Sequence, residues 1–233
     1  MNRASDLYWL TGGADDVPPG SDWLGGRELE KLEQMRFTKR RADWRLGRWT
    51  AKRAVCSFLS LSDSVAEPSA VEIIAAADGV PELFVSGVTS HATVSISHSH
   101  GTGFCVLSPG GLAVGCDVEA IEPRSGRFAA DYFTSSEILT IERASGEDRV
   151  LLTTLVWSAK ESALKALRTG LDRDTRSVEV RDVAAESGAN GWKRLAIDCD
   201  GGENQFFGWW RGEGKLVYTI ACGALTRPPV LLS

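Results

Sequence analysis

Asp117 and Glu119 stand two residues apart in Val114-Gly115-Cys116-Asp117-Val118-Glu119. A strand's period of two puts Val114, Cys116 and Val118 on one face and the two acids on the other. Two carboxylates on one strand face repel unless a cation sits between them, and a metal ion is the simplest such cation. An exposed strand with two solvated acids is the better account of a bare Asp-x-Glu, so the pair alone is a weak motif. A helical pattern over 151–167 supplies a third acid. Leu152, Leu155, Val156, Ala159, Ala163, Ala166 and Leu167 form one stripe. Trp157, Glu161 and Lys165 recur every four residues on the opposite side. A surface Glu161–Lys165 pair would contribute only a few tenths of a kcal/mol and would leave Trp157 exposed without reason. If that face lines a cleft, Glu161 joins Asp117 and Glu119 as a third oxygen ligand and Lys165 meets phosphate. All-oxygen ligation suits Mg²⁺ or Mn²⁺ and fits zinc poorly.

Charge is uneven. Residues 36–53 hold eight bases (Arg36, Lys39, Arg40, Arg41, Arg45, Arg48, Lys52, Arg53) against Asp43, a segment of +7 in a chain of −5, which leaves −12 for the rest. Arg41, Arg45, Arg48 and Lys52 fall in one helical stripe, backed by an apolar face of Ala51, Ala54, Val55, Phe58 and Leu59. The stripe is expected to meet solvent or an anion. A long nucleic-acid duplex would be repelled by the acidic remainder, so a small ligand with several phosphates suits the layout better. The three histidines, His91, His98 and His100, fall within ten residues. His98 and His100 share a strand face but lack a third ligand nearby, so a polar strand end outweighs a zinc site, with a phosphate contact from His98 as a further option.

The elements that must position these groups follow from the pattern. Residues 1–20 read as an irregular or strand-containing lead ending at Pro18-Pro19-Gly20. Ser21 or Asp22 would cap a helix through Met35, and a second helix is expected over 38–59. Strands are expected over 71–75, 93–97, 104–107 and 113–119, with a turn at Asp78-Gly79-Val80-Pro81 and a break at Pro109-Gly110-Gly111 that divides the chain into 1–111 and 112–233. A helix over 132–143 precedes the strong one over 151–167, and strands at 206–210 and 216–221 close the chain. No internal repeat is visible. With 233 residues, 43% apolar and 24% charged, the chain is long enough to bury a core and excludes disorder. No apolar run approaches a membrane span, and residues 1–10 lack a basic region followed by an apolar core, so a soluble cytoplasmic protein is expected. Five scattered cysteines without a Cys-x-x-Cys pair fit neither a disulfide framework nor a zinc ribbon and read as reduced and mostly buried.

In order along the chain, the segments that carry a family likeness are these: Arg36-Phe37 through Leu46-Gly47-Arg48 and Lys52; Gly79-Val80-Pro81; Ser95-Ile96-Ser97-His98-Ser99; Gly115-Cys116-Asp117-Val118-Glu119; Phe133 to Glu137; and Trp157-Ser158-Ala159-Lys160-Glu161-Ser162-Ala163-Leu164-Lys165. Together they resemble the 4′-phosphopantetheinyl transferases of the surfactin-synthetase-activating (Sfp) type, over roughly residues 36–170. The resemblance implies an α+β fold of two pseudo-symmetric α/β halves in one chain, with the active site where the halves meet, and a monomer. It implies Mg²⁺-dependent transfer of phosphopantetheine from coenzyme A to a serine of an acyl or peptidyl carrier protein, as in secondary-metabolite assembly, releasing adenosine 3′,5′-bisphosphate. Asp117, Glu119 and Glu161 match the metal-holding positions, with Mn²⁺ as an alternative ion. Glu161 is also the candidate base, and Lys165 matches the lysine near the diphosphate. Ser97 and His98 match the 3′-phosphate contact. Gly79 and Pro81, with Arg41, Arg45, Arg48 and Lys52, complete the expected coenzyme A site. Val80 stands where the family commonly has a base, and His100 where small residues are common. No nucleic acid or membrane partner is expected.

Two rivals use the same residues. Water in place of the carrier serine would make a metal-dependent nucleotide phosphodiesterase or pyrophosphatase, and an idle site would leave a coenzyme A or carrier-binding module. Arg124, Arg127, Phe128 and Phe133 are the expected rim for an acidic carrier protein.

Overall fold

The computed structural model describes residues 6–61, 66–183, 189–202 and 204–233. The first five residues of the expected irregular lead therefore lie outside the described residues. In chain order the strands and α-helices are β1 (Tyr8–Gly13), α1 (Gly26–Glu33), α2 (Thr38–Ser60), β2 (Val71–Ala75), β3 (Pro81–Val85), β4 (Val88–Thr89), β5 (Thr93–Ser99), β6 (Thr102–Ser108), β7 (Val114–Ala120), α3 (Gly126–Tyr132), α4 (Ser135–Arg143), α5 (Gly146–Ala166), β8 (Val178–Val183), β9 (Lys193–Cys199), β10 (Asn204–Glu213), β11 (Leu216–Cys222) and β12 (Val230–Leu231). The fold is α+β, in two compact units. Met1–Leu112 with Pro229–Ser233 form one, and Ala113–Pro228 the other. The final residues return to the first unit because β12 pairs in parallel with β1.

In the first unit β12-β1-β6-β5 form one sheet and β2-β3-β4 another. Helix α2 buries Ala51, Ala54 and Val55 against them, with Phe58 and Leu59 at the margin, as its apolar face dictates. In the second unit β7-β11-β10-β9-β8 form one sheet. Helix α5 sends Leu155, Ala159, Ala163 and Ala166 into that sheet's core. It also turns Val156 and Trp157 into a second cluster with Phe133 and Ile141. The alternative of a surface face with an exposed Trp157 is thereby set aside: α5 is covered on two sides, and Trp157 is only 9% exposed. Two further boundaries differ. The first helix starts at Gly26, behind Gly25 rather than Ser21 or Asp22, and the expected 132–143 helix starts at Ser135, with a separate helix over Gly126–Tyr132 before it.

The two units share a repeat that was not visible in the sequence. Trp49-Thr50-Ala51-Lys52 on α2 and Trp157-Ser158-Ala159-Lys160 on α5 occupy equivalent places. Lys52 and Lys160 are fully buried. Lys52 Nζ lies 2.5 Å from Glu28 and Lys160 Nζ 2.8 Å from Glu137. Each glutamate closes the first turn of its own helix, one oxygen accepting from the amide of Gly25 or Thr134. The other oxygen accepts from the third amide of the following strand, Ile73 or Val180. Each lysine also donates to carbonyls at the start of that strand, Pro68 and Val71 in one unit, Thr175 and Val178 in the other. Burial pulls both ammonium groups below the ordinary lysine range, and the paired glutamate opposes that pull.

Candidate active site

The carboxylates belong to the second unit, where strand β7 and helix α5 run so close that a side chain at Gly115 would overlap the carbonyl of Ser162 and the amide of Ala166. That approach brings α5 side chains onto Asp117. The buried Asp117 accepts from Lys165 Nζ at 2.8 Å on one oxygen and from Ser158 Oγ at 2.8 Å on the other. Ser158 in turn bonds Thr219 on β11, directly across from Asp117, at 2.8 Å, and Ser162 bonds the same threonine at 2.7 Å. Lys165 also donates to the Cys116 carbonyl at 3.0 Å. Glu119 accepts from Trp157 Nε1 and from Arg124, each at 3.1 Å. Glu161 makes no hydrogen bond or ion pair among the described residues.

Electrostatics tie the three acids together. Burial raises the Glu161 carboxyl above the ordinary range, and Asp117 and Glu119 add to the rise while Lys165 opposes it. Burial and Asp117 likewise raise Glu119, against Arg124 and Trp157. Burial alone would lower Lys165, but Asp117 and Glu161 hold it above its ordinary value. Among the described residues no group of three or more His, Cys, Asp and Glu is gathered closely enough to hold a metal ion. Two of the three acids are spent on cations of the chain. The donor chemistry, three carboxylates and no soft ligand, is that of a hard divalent ion.

The first unit holds an open cleft of about 1000 Å³. Lys31, Arg40, Arg48, His98, Gly79 and Pro81 line it, with Phe37 and Trp44 among its apolar walls. Of the expected coenzyme-binding residues, Arg48, Gly79, Pro81 and His98 are there. Five are not, Lys165 because it belongs to the second unit, and the stripe expected to face an anion is corrected. Lys52 is the buried partner of Glu28. Arg41 caps the carbonyls of Leu32 and Met35 at the end of α1. Arg45 holds the carbonyls of Pro18 and Gly20 and the Ser21 hydroxyl. Ser97 is buried on the β5 face opposite His98, as the strand's alternation requires. His100 follows β5 with φ 48°, in the turn to β6, so it shares no strand face with His98.

Sequence reasoning missed Lys31 and Arg40, which carry no ion pair among the described residues. The spacing of Arg40, Trp44, Gly47 and Arg48 held the signal, because that helical face meets the cleft. It also missed Ser158 and Thr219, neutral residues with no chemistry of their own to attract notice. The expected carrier rim loses Phe133, which is buried. Arg124 is engaged by Glu119, and Arg127 pairs with Asp131. Four of the five free cysteines are buried. Among the described residues no helix is long and apolar enough to cross a membrane.

Residues 113–212 match the family model of the 4′-phosphopantetheinyl transferase superfamily. The matched segment begins just before β7 and contains Asp117, Glu119, Glu161 and Lys165 together. It supports the superfamily and leaves the type within it open. No curated protein matches the chain.

Proposed function

We propose that the protein transfers the 4′-phosphopantetheine group of coenzyme A to a serine of an acyl or peptidyl carrier protein, releasing adenosine 3′,5′-bisphosphate. The observation that carries this reading is the approach of β7 and α5 inside the segment similar to the superfamily, where Lys165 and Ser158 bond Asp117 and Trp157 bonds Glu119. Asp117, Glu119 and Glu161 would hold Mg²⁺ or Mn²⁺, which when bound supplies charge neutralisation at the diphosphate. Lys165 lies against Asp117, one helical turn from Glu161, and offers an ammonium to a phosphate oxygen as negative charge builds there. Glu161, whose side chain makes no hydrogen bond or ion pair among the described residues, is the candidate to take the carrier serine's proton. The serine oxygen bonds to the β-phosphorus, and the bond from that phosphorus to the bridging oxygen breaks. Adenosine 3′,5′-bisphosphate leaves with that oxygen.

The cleft supports the donor assignment. Arg48 Nε is buried there with no hydrogen-bond partner among the described residues, and the nearest acid, Glu28, is 3.9 Å away and already engaged by Lys52. A buried guanidinium left short of acceptors favours an anion. Lys31, Arg40 and His98 add positive charge and donors around it, and coenzyme A brings a diphosphate and a 3′-phosphate.

The test is incubation with coenzyme A, Mg²⁺ and several apo carrier proteins, read by intact mass. One phosphopantetheine added per carrier is expected. Coenzyme A cleavage without any acceptor would select a hydrolase instead, and binding without labelling a non-catalytic module.

A further inference from the structure

Glu119 sits inside a closed circuit of contacts. Trp157 donates to one carboxylate oxygen and Arg124 to the other. The Arg124 guanidinium lies 5.2 Å from the centre of the Phe128 ring, and Phe128 packs edge-on against Trp157 at 5.0 Å. The two donors differ in kind. Trp157 is neutral, and its ring is fixed by Phe128 and by Tyr132, also at 5.0 Å. Arg124 is charged and weakly held: it reaches Glu119 through a single nitrogen, and its buried Nε has no hydrogen-bond partner among the described residues. A bidentate guanidinium–carboxylate pair would be the strong form of this contact, and Arg124 does not make it. Lys165, the other cation of the cluster, is better secured, with Asp117 and the Cys116 carbonyl both within 3.0 Å.

We infer that Arg124 is a positioning residue for Glu119, a resident counter-cation that keeps this carboxylate in place and yields its oxygen to a divalent ion while Trp157 retains the other. The inference rests on the reading of Asp117, Glu119 and Glu161 as metal-holding residues. Three carboxylates already faced by two cations attract a third cation less than three bare ones would. Arg124 therefore competes for Glu119 and weakens ion binding, while preventing Glu119 from being repelled out of the site when no ion is present. Its stacking surface on Phe128 gives the released guanidinium a place to remain.

The experiment measures Mn²⁺ binding to the full chain without coenzyme A, from the electron-paramagnetic-resonance signal of the free ion. Arg124→Gln is expected to bind Mn²⁺ about threefold to fivefold more tightly, the factor for removing one partly exposed ion-pair competitor. Arg124→Lys should return the affinity towards wild type. Equal or weaker binding by Arg124→Gln, while Glu161→Gln abolishes binding, would overturn the inference alone. Mn²⁺ binding that Glu161→Gln leaves unchanged would overturn the metal reading and this inference with it.

Discussion

Helices α2 and α5 share Trp-(Thr/Ser)-Ala-Lys and share the buried lysine–glutamate staple, yet only on α5 does the hydroxyl after the tryptophan bond an aspartate of the neighbouring strand. Thr50 occupies in the first unit the place of Ser158 in the second. What faces it differs. Ser158 meets Asp117 and Thr219, paired across β7 and β11. Thr50 meets Gly12 and Gly103, paired across β1 and β6. A Cβ at Gly12 would stand 2.9 Å from Thr50 Oγ1, and one at Gly103 would run into the same atom, so the first unit has closed the space an acid would need. One residue beyond each staple lysine stand Arg53 and Glu161. The difference separates two kinds of motif residue: those common to both units build the frame, and those in one unit carry the chemistry. Lys160, inside the segment with the family likeness, falls in the first class.

The largest effect should come from Glu161→Gln, which removes the carboxylate without changing its shape. Carrier labelling by this variant is expected to fall roughly a thousandfold or more, the order seen when a key electrostatic group is removed from a reacting site. Urea unfolding should show equal or slightly greater stability at neutral pH, because Gln removes a desolvated carboxylate that Asp117 and Glu119 repel. Arg53→Gln, the counterpart position, should keep labelling near wild type. Comparable losses in both variants would erase the distinction between the units.

Next in size is the staple. Lys52→Met and Lys160→Met each strand a buried glutamate, and breaking a buried pair from one side costs about 3–5 kcal/mol. Each glutamate retains its two amide donors, so the strand contact survives in part. Chemical denaturation of the full chain should show similar losses for the two variants, and Lys160→Met should retain transfer under conditions where it is still folded. Loss of transfer from fully folded Lys160→Met would move this lysine out of the frame and into the reaction.

Much of the second unit was legible because its chemistry is dense in sequence. Asp-x-Glu on a period-two strand and Trp157, Glu161 and Lys165 at helical spacing announce their faces, and Lys165 meets Asp117 while Trp157 meets Glu119. What covers Trp157 was not legible, since Phe128 and Tyr132 lie on α3, outside α5's own periodicity. The first unit misled more. A run of bases reads as a site for anions, but Arg41 and Arg45 are held by carbonyls of residues 18–35, a loop and helix end whose positions no local pattern encodes. Lys52 misled for a further reason. Its partner, Glu28, is 24 residues earlier and only a three-dimensional account pairs them. The repeat escaped notice because four residues of similarity in 233 are invisible until the staple shows that they do the same work.

The smallest expected effect tests that correction of the basic helix. Arg48 lines the cleft with an unsatisfied Nε, whereas Arg41 spends its guanidinium on the end of α1. Replacing each by Gln should therefore separate two quantities that a solvent-facing stripe would move together. Arg48→Gln is expected to weaken coenzyme A binding about tenfold, as for loss of one charge-assisted hydrogen bond, and calorimetry at fixed ionic strength would measure it. Arg41→Gln should leave that affinity within about twofold and instead lower the unfolding free energy by about 1 kcal/mol, the usual worth of a side-chain bond to a helix end. If Arg41→Gln weakened coenzyme A as much as Arg48→Gln while stability held, the stripe would after all face the ligand, and the division of the basic helix into clamp and cleft residues would be wrong.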